Sequence, residues 1–216
     1  MKDKQRFSNI YRHSAKRIVD LAISILALPA LLPLLAIVAL AIRFRLGSPV
    51  LFKQERLGFE GRPFSIRKFR TMTEGRDGKG NLLPDAERLT AIGRFLRETS
   101  LDELPELINV LRGELSLVGP RPLHSRYRDR YTPDQFRRHE VLPGITGWAQ
   151  VNGRNALSWE EKFDLDVWYV DHQSLWLDIK IIALTIVKLI KREGISQPGE
   201  ATMEEFKGST KVSFRF

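Results

Sequence analysis

The sequence predicts a mostly helical α/β protein, with one long apolar helix near the N-terminus and a small globular part. Three observations predict this class. Residues 21–42 carry no charge, and residues 50–72 hold two short alternating stretches around a turn. Three later stretches, 86–97, 101–113 and 175–192, have a helical pattern. A chain of 216 residues can form one domain with a hydrophobic core. We expect three regions: a basic segment with the apolar helix at 1–48, a globular domain at 49–200 and a tail at 201–216.

The composition is basic and free of cysteine. Thirty-five Lys and Arg residues face 26 Asp and Glu residues, which gives a formal net charge of +9. A basic excess of this size indicates an anionic partner, such as nucleic acid, anionic lipid or a phosphorylated substrate. The lack of cysteine excludes disulfides and thiolate metal sites.

The uncharged run at 21–42 is long enough for a membrane helix, which needs about 20 apolar residues. A cleaved signal peptide is disfavoured, because its apolar core has only about 7–15 residues and this run follows a long charged segment. A spanning helix conflicts with basic residues at both ends, Lys16 and Arg17 before the run and Arg43 and Arg45 after it. Positive charge favours the cytoplasmic side, and here both ends carry it.

A re-entrant helix, which enters the bilayer and returns to the same face, would satisfy the charges at both ends. Pro29 and Pro33 lie in the middle of the run, where each removes a backbone hydrogen bond and favours a break. The residues alone leave the re-entrant and spanning forms equally open.

The globular part begins with a predicted β-hairpin, formed by VLFKQ at 50–54 and FSIRKF at 64–69. A polar, glycine-rich loop at 73–85 follows, then helices over 86–97 and 101–113. The stretch 143–155 is expected to be irregular. The last predicted helix, at 175–192, is basic and amphipathic, and it fits a core helix with a solvated face as well as a helix in the lipid headgroup plane.

Asp102 and Glu103 stand side by side at the predicted start of a helix. With Ser100 they fit the capping box S-x-x-E, in which Ser100 caps the N–H of Glu103 and Glu103 reaches back. In the simplest interpretation, these two acids only begin a helix.

Nearby basic residues favour a second interpretation. Several stand in stiff or glycine-rich contexts: Lys68, Arg97, Arg121 between two prolines, and Arg154. An acid pair among such cations, at a helix N-terminus, suits a phosphate and a divalent cation. The carboxylates would hold Mg²⁺, or one of them would attack phosphorus.

These motifs resemble the bacterial sugar transferase family, the monotopic phosphoglycosyl transferases that start glycan assembly on a polyprenyl phosphate. The resemblance covers residues 16–192 and is carried by KRIVD, the apolar run with Pro33, KFRTM, SLDEL, SLVGPRPL and PGITGWAQVNGRN. The compact length is similar to that of small single-module members, such as the enzyme that starts bacterial N-linked glycans. On this resemblance, 49–200 is the catalytic sugar transferase domain.

The resemblance implies a reaction and roles for the acid pair. A sugar 1-phosphate would pass from a UDP-sugar, expected to be N-acetylated, to undecaprenyl phosphate, with release of UMP. Asp102 would be the nucleophile and form a phosphosugar–aspartyl intermediate. Glu103 would support the reaction, and both acids would bind Mg²⁺.

The resemblance also assigns the surrounding residues. Arg121 matches an active-site arginine, and Lys68, Arg97 and Arg154 match basic positions expected to contact phosphates. Asp166 matches a family acid that binds substrate or has a structural role.

A third implication concerns the membrane. The family's N-terminal helix is re-entrant and breaks at a Ser-Pro pair, whereas this chain has Leu32 before Pro33. The expected location is the cytoplasmic face of the bacterial inner membrane, in contact with membrane phospholipid, with a homodimer as an open possibility.

Two other classes compete with this interpretation. A sequence pI of about 10.0 suggests a nucleic-acid-binding protein, but the basic residues do not gather on one helix and the apolar run has no place in one. A non-catalytic membrane scaffold, in which SLDEL only starts a helix, is the other alternative. We expect no nucleic-acid partner.

Overall fold

The computed structural model describes residues 11, 15–153, 156–191 and 205–208. The helices and strands are, in chain order, α1 (Lys16–Arg45), β1 (Leu51–Leu57), β2 (Pro63–Phe69), α2 (Asp85–Arg88), α3 (Ala91–Glu98), α4 (Leu107–Arg112), β3 (Ser116–Val118), α5 (Pro133–Phe136), β4 (Gly144–Thr146), α6 (Trp148–Val151), α7 (Trp159–His172) and α8 (Leu175–Lys191). Short 3₁₀ helices cover Phe59–Gly61, Leu101–Glu106, Ser125–Arg130 and Arg137–His139. The predicted class, mostly helical with a short hairpin, is confirmed.

Helix α1 has the length and apolar character needed to cross a membrane. It is continuous over 30 residues, with Pro29 and Pro33 inside it, so the break expected at these prolines is not found. A proline removes only its own N–H from the helical ladder, and the remaining backbone bonds hold the helix together here. A re-entrant path stays a prediction, because a continuous helix that contains prolines can still bend.

Both ends of α1 contact the same globular body. At the N-terminal end, Arg17 donates to the carbonyls of Val110 and Leu111 at 2.6 and 3.2 Å, and Lys16 forms a buried ion pair with Asp178. At the other end, Val38 and Ile42 pack in a buried cluster with Phe69 and Leu96. The stretch between these contacts, 25–37, has no buried side chain.

The hairpin forms as predicted. Strands β1 and β2 pair antiparallel, from Leu51 opposite Phe69 to Leu57 opposite Pro63. A second, parallel pair of short strands, β3 and β4, was not predicted. It places part of the stretch expected to be irregular beside the SLVGPRP segment, because the glycines at 119 and 144 let the two backbones approach closely.

The helices after the hairpin are shorter than predicted. The stretch 86–97 divides into α2 and α3, and 101–113 divides into a 3₁₀ helix and α4. Helix α3 packs against the chain beyond β2, where a Cβ at Gly93 would lie 1.9 Å from the carbonyl oxygen of Thr71. Only glycine permits this approach, which fixes α3 against the end of the hairpin.

Helix α8 buries Asp178 and Ile181, while much of its apolar surface is exposed. Trp176 is 80% exposed and Ile190 is 77% exposed. One flank therefore packs in the core, and the rest favours the interpretation of a helix at a lipid surface.

Candidate active site

The acid pair lies on the 3₁₀ helix Leu101–Glu106, which packs against β2. Asp102 is buried, with 8% of its surface exposed. Glu103 accepts two hydrogen bonds on Oε1, from Lys68 Nζ and from Arg121 Nη2, each at 2.6 Å. Glu103 is thus held between a strand of the hairpin and the Pro-Arg-Pro segment.

The predicted capping box is wrong. Ser100 has a left-handed backbone, with φ of 54°, and its side chain makes no capping hydrogen bond. Its carbonyl instead accepts the N–H of Glu103 at 3.2 Å. The Glu103 side chain turns to the cations, which bind a carboxylate more strongly than a backbone N–H does.

The surroundings of the two acids shift their pKa values in opposite directions. Burial raises the pKa of Asp102 to about 6, and the charge of Glu103 acts in the same direction. Burial would also raise the pKa of Glu103, but the charges of Arg121 and Lys68 outweigh it and hold that pKa well below its usual range. Glu103 is therefore the more acidic of the two carboxyls, and the pKa of Asp102 lies closer to neutral pH.

A third carboxylate in the site was not predicted. Glu106 is 2% exposed, and its Oε1 lies 3.0 Å from Lys68 Nζ. Burial raises its pKa to about 7, against the opposing charge of Lys68. Its position three residues after Glu103, on the same helical side, was the available sequence signal.

Arg121 is supported from behind by a buried ion pair. Arg138 donates to the backbone carbonyl of Arg121 at 2.7 Å and to Asp166 Oδ2 at 2.6 Å. Asp166 therefore anchors Arg138, and Arg138 anchors the Pro-Arg-Pro backbone. Of the two roles considered for Asp166, this contact supports the structural one. Arg138 itself was missed, because nothing in its local sequence marks it.

A cleft of about 1450 Å³ opens beside the acid pair. Six of the residues singled out from the sequence line it: Lys68, Arg97, Asp102, Glu103, Arg121 and Asp166. Arg97 lies against the strand end, where its Nε donates to Thr71 Oγ1 at 3.1 Å. Arg154 lies outside the described residues.

The acid pair fits one common way of binding Mg²⁺. Within the described ranges, no group of three or more His, Cys, Asp or Glu side chains is arranged to hold a metal ion. Mg²⁺ is usually held by one or two carboxylates together with substrate phosphates. The Asp102 carboxylate makes no hydrogen bond within the described part of the chain and lines the cleft, and both donors to Glu103 bind the same oxygen. Carboxylate oxygens therefore remain for a cation brought with the substrate.

An acid pair among cations, in an open cleft on a body that carries an apolar helix, defines a site suited to phosphoryl transfer beside a membrane. The model of the bacterial sugar transferase family matches residues 11–192, and the chain belongs to this family. The resemblance drawn from the motifs is confirmed, and so is the predicted enzyme class, phosphoglycosyl transferase.

Similar proteins extend this comparison. The chain is 57% identical over 198 residues to "Uncharacterized sugar transferase EpsL" of Bacillus subtilis, covering 92% of this chain and 98% of the relative. It is 40% identical over 183 residues to the "UDP-glucose:undecaprenyl-phosphate glucose-1-phosphate transferase" of Escherichia coli, covering 80% of this chain and 39% of that relative. A protein with the same printed name from Caulobacter vibrioides is 40% identical over 190 residues, with 81% and 69% covered. Several relatives are thus much longer than the region they share with this chain.

Proposed function

We propose that this protein transfers a sugar 1-phosphate from a UDP-sugar to undecaprenyl phosphate, giving undecaprenyl-diphosphate-sugar and UMP. The relatives named for UDP-glucose and undecaprenyl phosphate support the general reaction. Another relative is named for UDP-galactose. An N-acetylated sugar, expected from the resemblance to the initiator of N-linked glycans, stays a prediction, as does a homodimer.

One observation carries the mechanism: Asp102 faces the cleft without a hydrogen-bond partner in the described part of the chain, while Glu103 beside it is held by two cations. A nucleophile must be free to reach the reacting phosphorus, whereas a supporting group benefits from being fixed. The geometry therefore favours Asp102 as the nucleophile and Glu103 as the group that orients the cations.

The first step forms a covalent intermediate. A carboxylate oxygen of Asp102 attacks the β-phosphorus of the UDP-sugar, and the bond from that phosphorus to the bridging oxygen breaks. UMP leaves with the bridging oxygen, and the sugar phosphate remains on Asp102. In the second step, a phosphate oxygen of the lipid attacks the same phosphorus, and the bond to Asp102 breaks to restore the carboxylate.

The cations stabilise the negative charge that both steps gather in the cleft. Arg121 and Lys68 are already ion-paired with Glu103, so they need little reorganisation when a diphosphate binds. Bound Mg²⁺, held by Asp102 and Glu103, would supply further charge neutralisation at the phosphate oxygens. Arg97 lies close enough for its charge to lower the pKa of Asp102, against the stronger effect of burial.

The contacts of α1 support a re-entrant helix at the cytoplasmic face of the inner membrane. A spanning helix would separate its two ends by the hydrocarbon core, about 30 Å thick. Here Lys16 at one end and Ile42 at the other contact the same globular body. That body carries the charged cleft, and its charge favours a position on the aqueous side of the bilayer for the body and for both ends of α1.

The test is UMP release by the purified full chain in detergent micelles with undecaprenyl phosphate and Mg²⁺. Four donors are compared: UDP-glucose, UDP-galactose and their N-acetylated counterparts. We expect UMP and a lipid-linked sugar from at least one donor, loss of both with EDTA, and loss of both in Asp102→Asn. A folded protein that releases UMP from none of them would favour the scaffold alternative, and salt-sensitive retention on DNA would favour the nucleic-acid alternative.

A further inference from the structure

A short segment beyond the family-matched region is packed into the globular body. The family model matches residues 11–192, and the described residues 205–208 follow it. Phe206 is 1% exposed and packs in one buried cluster with Tyr127. Its backbone is bound as well, because its N–H donates to the hydroxyl of Tyr127 at 3.4 Å and Arg130 donates to its carbonyl oxygen. The segment is therefore held by both its side chain and its backbone.

The ring of Phe206 contacts aromatic side chains that line the cleft. The ring centroids of Phe206 and Tyr127 are 5.7 Å apart, and those of Phe206 and Trp159 are 5.4 Å apart. Tyr127 and Trp159 both line the cleft. Because buried aromatic rings contribute strongly to packing, Phe206 anchors the segment against this part of the cleft wall.

Glu205, the residue before this anchor, also lines the cleft. Arg130 Nη1 donates to Glu205 Oε1 at 2.8 Å, and Arg126 Nε lies 3.6 Å from the same oxygen. Since both contacts use Oε1, the other oxygen, Oε2, has no partner among the described residues. The hydrogen bond from Arg130 lowers the pKa of Glu205, so this group is a carboxylate, which only accepts hydrogen bonds.

This part of the wall is linked to the acid pair through Arg121. The 3₁₀ helix Ser125–Arg130 carries both partners of Glu205 and begins four residues after Arg121. The Cα atoms of Arg121 and Arg126 are five residues apart, so they are separated by at most about 18 Å. Lys162 provides a second link. Its Nζ lies 5.1 Å from the centroid of the Trp159 ring, and the charge of Arg121 acts with burial to lower the pKa of Lys162.

Aromatic rings with a few well-placed polar groups are typical of sites for small molecules. The free oxygen of Glu205 can accept hydrogen bonds from hydroxyl groups, whereas its charge repels phosphates. A UDP-sugar whose diphosphate lies at the acid pair has a ring with hydroxyl groups on each side of that diphosphate, the ribose and the sugar. Either ring offers the donors that this carboxylate needs.

We propose that Glu205 binds hydroxyl groups of the UDP-sugar, on the sugar or on the ribose, and that Phe206 positions it. The proposal rests on the proposed function and adds a specificity-determining residue from outside the family-matched region. Arg130 fixes one oxygen of Glu205, so the other is held ready for the ligand. A site that holds such an acceptor discriminates against ligands whose hydroxyl is missing or points elsewhere.

The experiment compares Glu205→Gln with wild type in steady-state UMP release by the full chain in detergent micelles, with undecaprenyl phosphate and Mg²⁺. Glutamine keeps one oxygen for Arg130 and places an NH₂ donor where Oε2 accepts. Glu60→Gln is the matched control, because Glu60 also pairs with an exposed arginine, at 2.6 Å, and does not line the cleft.

We expect Glu205→Gln to raise the KM for the UDP-sugar by about tenfold, the size expected for loss of one hydrogen bond to a charged group. The KM for undecaprenyl phosphate and the Tm should match wild type, and Glu60→Gln should match it in all three quantities. Inhibition by UMP identifies the source of the hydroxyls, since UMP contains the ribose but no sugar. An unchanged inhibition constant assigns the contact to the sugar, and one raised as much as the KM assigns it to the ribose.

Phe206→Ala removes the anchor, and a double variant tests whether Phe206 acts through Glu205. Phe206→Ala should also raise the KM for the UDP-sugar, while Phe206→Leu, which keeps most of the apolar volume, should stay closer to wild type. The double variant Glu205→Gln/Phe206→Ala should raise this KM no further than the larger single change. Effects that multiply in the double variant would refute the positioning role of Phe206.

Two outcomes would overturn the role of Glu205. One is a Glu205→Gln variant with wild-type KM for every active UDP-sugar and wild-type inhibition by UMP. The other is a KM for undecaprenyl phosphate that rises as much as the KM for the UDP-sugar, which would indicate a general disturbance of the cleft. A wild type that releases no UMP refutes the proposed function instead. The Kd of UDP-glucose and UDP-galactose, measured by calorimetry, then decides separately: a Kd raised in Glu205→Gln supports the contact, and an equal Kd excludes it.

Discussion

The buried pair of Arg138 and Asp166 gives a prediction that separates stability from activity. Their side chains are 2% and 4% exposed, and Arg138 Nε and Nη2 lie 3.0 and 2.6 Å from Asp166 Oδ2. Asp166→Leu leaves a buried guanidinium without its counter-ion, which costs about 3–5 kcal/mol. At about 2–4 °C per kcal/mol for a chain of this size, Tm should fall by about 6–20 °C.

The double variant Arg138→Met/Asp166→Leu removes both charges and should recover most of this loss, because replacing a buried ion pair with apolar groups is often neutral. Activity should not recover. Arg138 also donates to the carbonyl of Arg121 at 2.7 Å, and without that bond the Pro-Arg-Pro backbone loses its support. We expect turnover to stay about ten- to a hundredfold below wild type, the size of effect expected from a small misplacement of an active-site group.

Thermal unfolding followed by circular dichroism in micelles, together with UMP release, measures both effects. The reasoning is refuted if Asp166→Leu has the same Tm as the wild type, since the pair would then contribute nothing to stability. It is also refuted if the double variant regains full turnover, since Arg138 would then have no part in positioning Arg121.

Three further predictions concern other parts of the molecule. Arg121→Lys keeps the charge but loses the planar fork, so UMP release should fall by about ten- to a thousandfold with Tm unchanged; near-normal release would make Arg121 structural. Gly93→Ala places a Cβ 1.9 Å from a backbone oxygen and should lower the free energy of unfolding by about 1–3 kcal/mol, as measured by thermal unfolding. Gly78→Ala, with open space around it, should keep the wild-type Tm. Cysteines replacing Ile18 and Arg43, near the two ends of α1, should both resist a membrane-impermeant reagent in intact cells; labelling of either from outside would contradict the re-entrant topology.

The sequence predicted the elements whose signal is local. The hairpin and the apolar helix follow from alternation and from an uncharged run, and Asp102, Glu103 and Arg121 follow from a motif. Contacts distant in sequence were not predictable in this way. Asp166 and Arg138 are 28 residues apart, and their pairing has no sequence period that reveals it.

Local sequence patterns also gave wrong or missing predictions near the site. Ser100 fits a capping box, yet Glu103 binds Lys68 and Arg121 instead of the backbone, because two charge-assisted bonds outweigh one cap. The parallel pairing of β3 and β4 was missed because each strand is only three residues long, and an alternating pattern cannot be recognised over so few residues.

The covalent intermediate on Asp102 is the central claim, and the mass of the intact protein tests it most directly. The enzyme is incubated with the active UDP-sugar and Mg²⁺, without lipid, and the reaction is quenched. Mass spectrometry of the intact protein then measures any added mass, and digestion locates the modified peptide. The account predicts an adduct of one sugar phosphate on the peptide that contains Asp102, equal in amount to the UMP released, and no adduct in Asp102→Asn. Full turnover with undecaprenyl phosphate but neither adduct nor burst would contradict it, and would mean that the lipid phosphate attacks the UDP-sugar directly.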